Sequence, residues 1–272
     1  MKYIDTHAHM NFHTYDEDRQ QVIDRTRNDD VLVINVGTKK STSELAVELA
    51  NQYSHLYAIV GLHPIHTADV FDEQGGIMEK SEVFDVDYYR DLILSSGGVV
   101  GIGECGLDYY RNTAETRQVQ EIAFRRQIEL ALELDLPLML HIRPSEGSMD
   151  AYYDVLAILR EYAGPKLRGQ THFFAGTSEI AQEFLDLGFY ISFTGVITFA
   201  RMYEKLVKFV PSDRILSETD APYVSPHPYR GQRNEPSHVR EVLGKIARIK
   251  KIDEEEMSLQ VMQNAKKLYR LV

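Results

Sequence analysis

Short apolar runs alternate with longer amphipathic stretches along the whole chain, and the two patterns ask for different elements. The runs YIDTHAH from Tyr3, VLVINVG from Val31, LYAIVGLHP from Leu56, VVGIGECGLD from Val99, PLMLHIR from Pro137, GQTHFF from Gly169, FYISFTG from Phe189 and RILSETDAP from Arg214 read as strands. Several are apolar at successive positions, as in strands buried on both faces of a parallel sheet covered by helices. Between them, spacings of three and four residues predict helices near Asp16 to Asn28, Ser43 to Tyr53, Tyr88 to Leu94, Ala151 to Tyr162, Glu179 to Leu187 and Tyr203 to Val210. The clearest is AETRQVQEIAFRRQIELALEL from Ala114, where Val119, Ile122, Ala123, Ile128, Ala131 and Leu132 form the predicted apolar face. Two further helices follow the last strand, one from about Ser237 to Ile249 and one from about Glu254 to Leu271.

Eight strand and helix alternations in 272 residues are the pattern of a (β/α)8 TIM barrel, an α/β fold expected here as one domain over residues 1–272. An open doubly wound sheet is the alternative, but no G-x-G-x-x-G follows any strand. The one irregular stretch is IHTADVFDEQGGIMEKSEVFDVD from Ile65, a long acidic connection after the third strand. It lies on the face where barrel active sites form, and it reads either as a lid or as a plain solvated loop.

Composition changes this picture little: 43% hydrophobic and 26% charged residues describe an ordered globular chain. With no apolar run long enough to span a bilayer, no basic-then-apolar start and a single cysteine, Cys105, the expectation is a cytoplasmic protein with no membrane association. The net charge of −11 argues against a broad electrostatic footprint on duplex nucleic acid. It leaves room for an anionic substrate, because divalent cations supply positive charge that a residue count does not see.

The chemistry-bearing residues sit at strand ends. His7 and His9 flank Ala8, and on a strand they point to the same side, close enough to share an ion. His63 ends the third strand, Glu104 the fourth, His141 the fifth and His172 the sixth, and Asp220 follows the eighth. Singly, each has an ordinary explanation: a buried histidine with a backbone partner, an ion-paired glutamate, an aspartate capping a turn. Together, at the carboxyl ends of barrel strands that converge on one mouth, they describe a single site. Imidazole and carboxylate suit Zn, Mn, Fe or Mg, and a glutamate bridging two ions about 3.5–4 Å apart would support hydrolysis.

IDTHAH, GLHP at Gly61, GECGLDYYR at Gly103, LHIR at Leu140, THFFAG at Thr171 and SETDAPYVSPHPYRGQRNEPSHV at Ser217 occur in order along essentially the whole chain. This set resembles the TatD-like metal-dependent hydrolases and deoxyribonucleases of the amidohydrolase superfamily. The resemblance implies two divalent ions, Mg, Mn or Zn, with His7, His9 and Asp220 on one, His141 and His172 on the other, and Glu104 bridging. It also implies Asp220 as acceptor of the water's proton, with Glu104 and His63 completing the catalytic group, His63 at the substrate rather than on a metal.

The implied activity is a phosphodiesterase on single-stranded DNA acting from the 3′ end. A DNA strand end or a small phosphoester would be the substrate, with no obligate protein partner in evidence. Arg143, Arg111, Arg230 and Arg233 are candidate phosphate contacts, because the guanidinium fork matches two phosphate oxygens, while a surface ion pair is the plain alternative for Arg111 and Arg233. Tyr109 and Tyr110 are candidates for stacking on a splayed base, with core packing expected for at least one. Cys105 faces away from Glu104 on the strand and is expected to be a buried structural thiol.

Two departures from the family's pattern bear on the substrate. Phe173 and Ala175 stand where a cysteine and a Ser or Thr are common, which alters the pocket wall. The acidic connection favours a strand end or small phosphoester over a long polymer. Two other readings stay open: hydrolysis of a different ester, amide or lactone, and a catalytically silent metal-binding scaffold. Replacing Glu104 by Ala is expected to abolish activity and to relieve carboxylate repulsion in the metal-free protein.

Overall fold

The computed structural model describes residues 1–72, 77–110 and 114–271. In chain order the elements are β1 (Tyr3–Ala8), α1 (Arg19–Asn28), β2 (Val31–Val36), α2 (Lys40–Gln52), β3 (Leu56–Val60), a hairpin of β4 (Val70–Asp72) and β5 (Ile77–Glu79), α3 (Val86–Leu94) and β6 (Val99–Asp108). There follow α4 (Ala114–Leu134), β7 (Leu138–Arg143), α5 (Asp150–Glu161), β8 (Gly169–Thr171), α6 (Ser178–Asp186), β9 (Phe189–Phe193), α7 (Glu204–Phe209), β10 (Ile215–Ser217), α8 (Val239–Lys250) and α9 (Glu254–Tyr269).

Apart from the hairpin, the strands form one eight-stranded parallel sheet in the order β1-β2-β3-β6-β7-β8-β9-β10. Its two ends meet. Thr6 Oγ1 donates to the Ser217 carbonyl at 3.1 Å, Ser217 Oγ to the Ile4 carbonyl at 3.2 Å, and Ala8 bridges Ala221 in parallel. This is the TIM barrel that the alternation predicts. β2 and β6 are buried at every position, as strands enclosed on both faces must be. Among the described residues no helix is long and apolar enough to cross a membrane.

The sequence pattern misplaces part of α4. Val119 and Ile122, assigned to its apolar face, are 43% and 47% exposed. Two glutamines are buried instead, each clamping the end of a strand. Gln120 Oε1 accepts the Asp108 N–H at 2.9 Å and its Nε2 donates to the Asp108 carbonyl at 3.1 Å. Gln127 does the same at Leu62, at 2.9 and 3.0 Å. A carboxamide supplies one donor and one acceptor, so it satisfies a strand end whose ladder has stopped, something a valine cannot do.

Helix starts shift for similar reasons. α2 begins at Lys40 rather than Ser43 because Thr42 Oγ1 accepts the N–H groups of Thr38 and Lys39 at 2.9 and 3.1 Å. α1 begins at Arg19 rather than Asp16, after a short 3-10 turn over His13–Tyr15.

The acidic connection is neither a bare loop nor a free flap where it is described: β4 and β5 pair antiparallel. Its acids are partly neutralised, Glu79 by Lys39 and Asp69 by Lys80, and Glu82 accepts the Lys40 N–H at 3.2 Å. The hairpin is thereby pinned to the start of α2.

At Gly106 the geometry requires glycine. Gly106, opposite His141 in the β6–β7 ladder, has φ +137°, and a Cβ there would lie 2.1 Å from the His141 carbonyl oxygen. Gly106→Ala is therefore expected to cost about 3 kcal/mol, combining backbone strain with overpacking. A urea midpoint within error of wild type would contradict this reading.

Candidate metal centre

The barrel mouth opens into a cavity of about 620 Å³ whose wall includes His9, His63, Glu104, His141, His172 and Asp220. The end of β1 and the residue after it bring the pair together, with His7 Nε2 and His9 Nε2 3.1 Å apart. His9 Nδ1 lies 2.8 Å from the Val36 carbonyl, which can only accept, so that nitrogen carries the proton and the Nε2 lone pair faces the cluster. Asp220 is clamped beside them: its N–H donates to the His7 carbonyl at 2.9 Å, and its φ of 56° turns the chain back toward β1. Its Oδ1 lies 3.6 Å from His7 Nε2 and 3.5 Å from His9 Nε2.

Glu104 stands at the centre, and its two oxygens face different histidines. Oε2 lies 3.5 and 3.7 Å from the Nε2 atoms of His7 and His9. Oε1 lies 2.9 Å from His141 Nδ1 and 2.9 Å from His172 Nε2, and those two nitrogens are 3.3 Å apart. Donor separations of this size match the edges of coordination shells with bonds of about 2.0–2.2 Å. The donor set, imidazoles and carboxylates that are buried apart from the partly exposed His141, fits divalent cations.

His63 also comes within reach, with Nε2 3.6 Å from Glu104 Oε1. Its Nδ1, however, accepts the Ile65 N–H at 3.0 Å, so a neutral His63 holds its proton on Nε2 and aims a donor into the cavity. Although His63, Glu104 and His141 are close enough to form a third donor cluster, this hydrogen bond makes His63 a better substrate contact than a ligand.

The electrostatics are those of one coupled cluster. Burial opposes the charge on Glu104, but the imidazoles of His172, His7 and His63 outweigh it and hold its carboxyl well below the usual range. Burial likewise opposes the charge on His172, yet Glu104 and Glu218 raise its pKa well above the ordinary value. Burial and the charge of His172 push His7 down, and burial pushes His63 further down. Against burial, His9, His172 and His7 keep Asp220 low. With imidazoles on every side of Glu104, the carboxylate repulsion expected at this residue is outweighed by attraction.

Three supporting carboxylates were not singled out from the sequence. Asp108 Oδ2 lies 3.0 Å from His141 Nε2, and its pKa falls to about 2, burial being outweighed by His141. Asp5, fully buried, accepts the N–H groups of His7 at 3.2 Å and Thr219 at 2.9 Å, tying β1 to the turn after β10. Glu218, also fully buried, accepts from Gln170 Nε2 and Ser192 Oγ, both at 2.7 Å, and from the Phe173 N–H at 2.6 Å. Phe173 has φ 44°, and this bond holds the strained residue directly after His172. A supporting carboxylate of this kind orients the ligand, so Glu218→Gln is expected to weaken metal affinity about 10–100-fold in a metal titration. Unchanged affinity would remove Glu218 from the site's support.

The arginines divide. Arg143 lines the cavity, its guanidinium 3.9 Å above the Tyr110 ring. Arg230 lies above Phe199 at 4.1 Å, outside the cavity wall. Arg233 is not brought to the cavity: it makes a two-pronged pair with Asp18 at 2.8 and 2.5 Å and donates to the Thr14 carbonyl. Its fork is occupied by a carboxylate of its own chain, the surface-pair alternative. Arg111 lies outside the described residues. Tyr109 is buried with its hydroxyl on Asp154, Tyr110 is 46% exposed, and Cys105 is a buried thiol on the Met139 carbonyl. Phe173 and Ala175 both line the cavity.

A parallel barrel whose mouth gathers five imidazoles around a central glutamate defines the class of metal-dependent hydrolases. The sequence profile of the TatD related DNase family matches residues 4–270. A Bacillus subtilis (strain 168) protein described as uncharacterized metal-dependent hydrolase YabD is 38% identical over 271 residues, 98% of this chain and 99% of that one. A protein of Erwinia billingiae (strain Eb661) named 3′-5′ ssDNA/RNA exonuclease TatD is 33% identical over 265 residues, 94% of each chain. The crystal structure of YJJV, a TatD homolog from Escherichia coli k12, superposes with a TM-score of 0.83 at 25% identity, covering 100% of this chain and 99% of that one. The chain belongs to the TatD related DNase family and is a metal-dependent hydrolase acting on ester bonds.

Proposed function

We propose that this protein is a two-metal phosphodiesterase that shortens single-stranded DNA from its 3′ end. The observation that carries the reading is the divided geometry of Glu104, one carboxylate oxygen toward His7 and His9 and the other toward His141 and His172. In this reading His7, His9 and Asp220 would hold one ion and His141 and His172 the other, with Glu104 within reach of both. Mg, Mn and Zn all suit the donor set. Bound there, two cations would supply Lewis acidity to a water molecule and to the oxygens of the phosphate whose phosphorus it attacks, with the P–O bond to the terminal nucleotide breaking.

The chain's own residues do the rest. Asp220, held ionised, accepts the proton of the attacking water. His63 Nε2–H donates to a phosphate oxygen, its ring oriented by the Ile65 N–H. Arg143, on the cavity wall, takes the next phosphate along the strand. The strand-end preference is supported by the Erwinia relative's name.

The test is to strip and reload the protein with Mg, Mn or Zn and assay it in parallel on a single-stranded oligonucleotide, carboxylic esters and lactones. Hydrolysis of the oligonucleotide, absent without metal, is the expected result. Cleavage of the carboxylic substrates with none of the oligonucleotide would overturn it.

A further inference from the structure

We propose that two arginine–aromatic pairs on the rim, Arg143 with Tyr110 and Arg230 with Phe199, are docking platforms for the nucleotides 5′ of the scissile bond. They would guide the strand along the β7–β10 side of the mouth. This inference rests on the nuclease reading and adds to it a path for the substrate and a dependence on strand length.

The first observation is that both rings are open to solvent, Tyr110 at 46% and Phe199 at 44%, while a guanidinium lies over each, 3.9 and 4.1 Å from the ring centre. The second is that neither guanidinium has an ion pair among the described residues. This stands out in an acidic chain where Arg25, Arg90, Arg125, Arg168 and Arg233 are all matched to carboxylates. Arg230 is also fixed in place, its Nη1 donating to the Ser225 carbonyl at 3.0 Å.

A stacked guanidinium with no carboxylate partner offers two things to a single strand: a donor edge for a phosphate and a flat face on which a base can lie. An exposed aromatic ring extends that face. A second copy of the same arrangement, on the loops after β9 and β10, supplies the same contacts further along the rim.

The distribution of charge selects the side. Around the barrel β8 and β9 separate β7 from β10, so the two platforms flank the stretch where Phe173 and Ala175 line the cavity. The sector after β3 instead carries the acidic segment from Ile65, which repels a phosphate backbone. A strand whose terminal bond lies at Glu104 therefore leaves the cavity across β8, between the platforms.

The experiment uses the metal-loaded full chain with Mn, comparing a ten-nucleotide strand with a dinucleotide, for wild type, Phe199→Ala, Phe199→Tyr and Arg230→Ala. Expected results are a KM for the ten-mer raised roughly tenfold in both alanine variants, with most of the effect in KM rather than kcat. The advantage of the longer strand over the dinucleotide shrinks correspondingly, and Phe199→Tyr restores it. Arg230→Ala also flattens the dependence of log KM on log salt by about 0.7, the share of one phosphate contact on a single strand. Because both side chains are at the surface, thermal midpoints stay near wild type. If wild type degrades the ten-mer and the alanine variants match its KM and salt slope, the platforms are refuted while the nuclease reading stands. If wild type hydrolyses neither strand, the nuclease reading fails and the platforms fall with it.

Discussion

Replacing Asp220 by Asn lowers metal-dependent hydrolysis about 10²–10⁴-fold at saturating metal, the range that loss of a positioned proton acceptor removes. Asparagine is the informative replacement because it keeps the size of the side chain and tolerates the left-handed backbone that Asp220 adopts at φ 56°. The carboxamide oxygen can still sit near His7 and His9, where Asp220 Oδ1 lies 3.6 and 3.5 Å from their Nε2 atoms, but it cannot take a proton at neutral pH. Turnover measured beside metal content separates a lost base from a lost ion. Full activity with metal bound would show that Asp220 accepts no proton in the reaction.

Glu104→Ala abolishes turnover and, in the metal-free protein, lowers stability by roughly 3 kcal/mol, since it removes one partner of a buried charge cluster and leaves the others uncompensated. This reverses the sign that repulsion between carboxylates alone suggests, because imidazoles surround Glu104. The pH dependence follows from the two shifts. Glu104 is depressed, so its contribution is complete above its ordinary value of 4.5 and fades as the pH falls through the depressed folded value. His172 is raised, so its contribution is complete below its ordinary value of 6.5 and fades as the pH rises through the elevated folded value. The gap between wild type and variant, followed by urea unfolding in chelator, is therefore widest between about pH 4.5 and 6.5 and narrows on either side. A variant more stable than wild type in that window would refute the arrangement.

Much of this site was legible because strand periodicity and barrel convergence are both strict rules. His7 and His9 come together by a period of two at the end of the first strand, and the converging ends of the parallel strands bring Glu104, His141, His172 and Asp220 to them across most of the chain. The same alternation includes Asp5, two positions before His7, so that carboxylate was within reach of the pattern.

Asp108 and Glu218 were not, because neither acts on its own strand. Asp108 meets His141 across the β6–β7 pair, and Glu218 meets Gln170 and the Phe173 N–H from the far side of β9. Arg233 misled for the converse reason: its spacing from Asp220 is local, but the Asp18 that occupies it comes from the other end of the chain. In α4 the hydrophobic pattern lost to hydrogen bonding, since Gln120 and Gln127 are buried where they close strand ends, and no periodicity argument gives a glutamine that role.

The most direct test of the central claim is digestion of a single-stranded oligonucleotide labelled separately at its 5′ and 3′ ends, with added Mg, Mn or Zn, comparing wild type and Asp220→Asn. Metal-loaded wild type is expected to remove the 3′ label at once and to shorten the 5′-labelled strand stepwise, and the variant to do neither. Intact strands after incubation with metal-loaded wild type, or equal digestion by the variant, would contradict that claim.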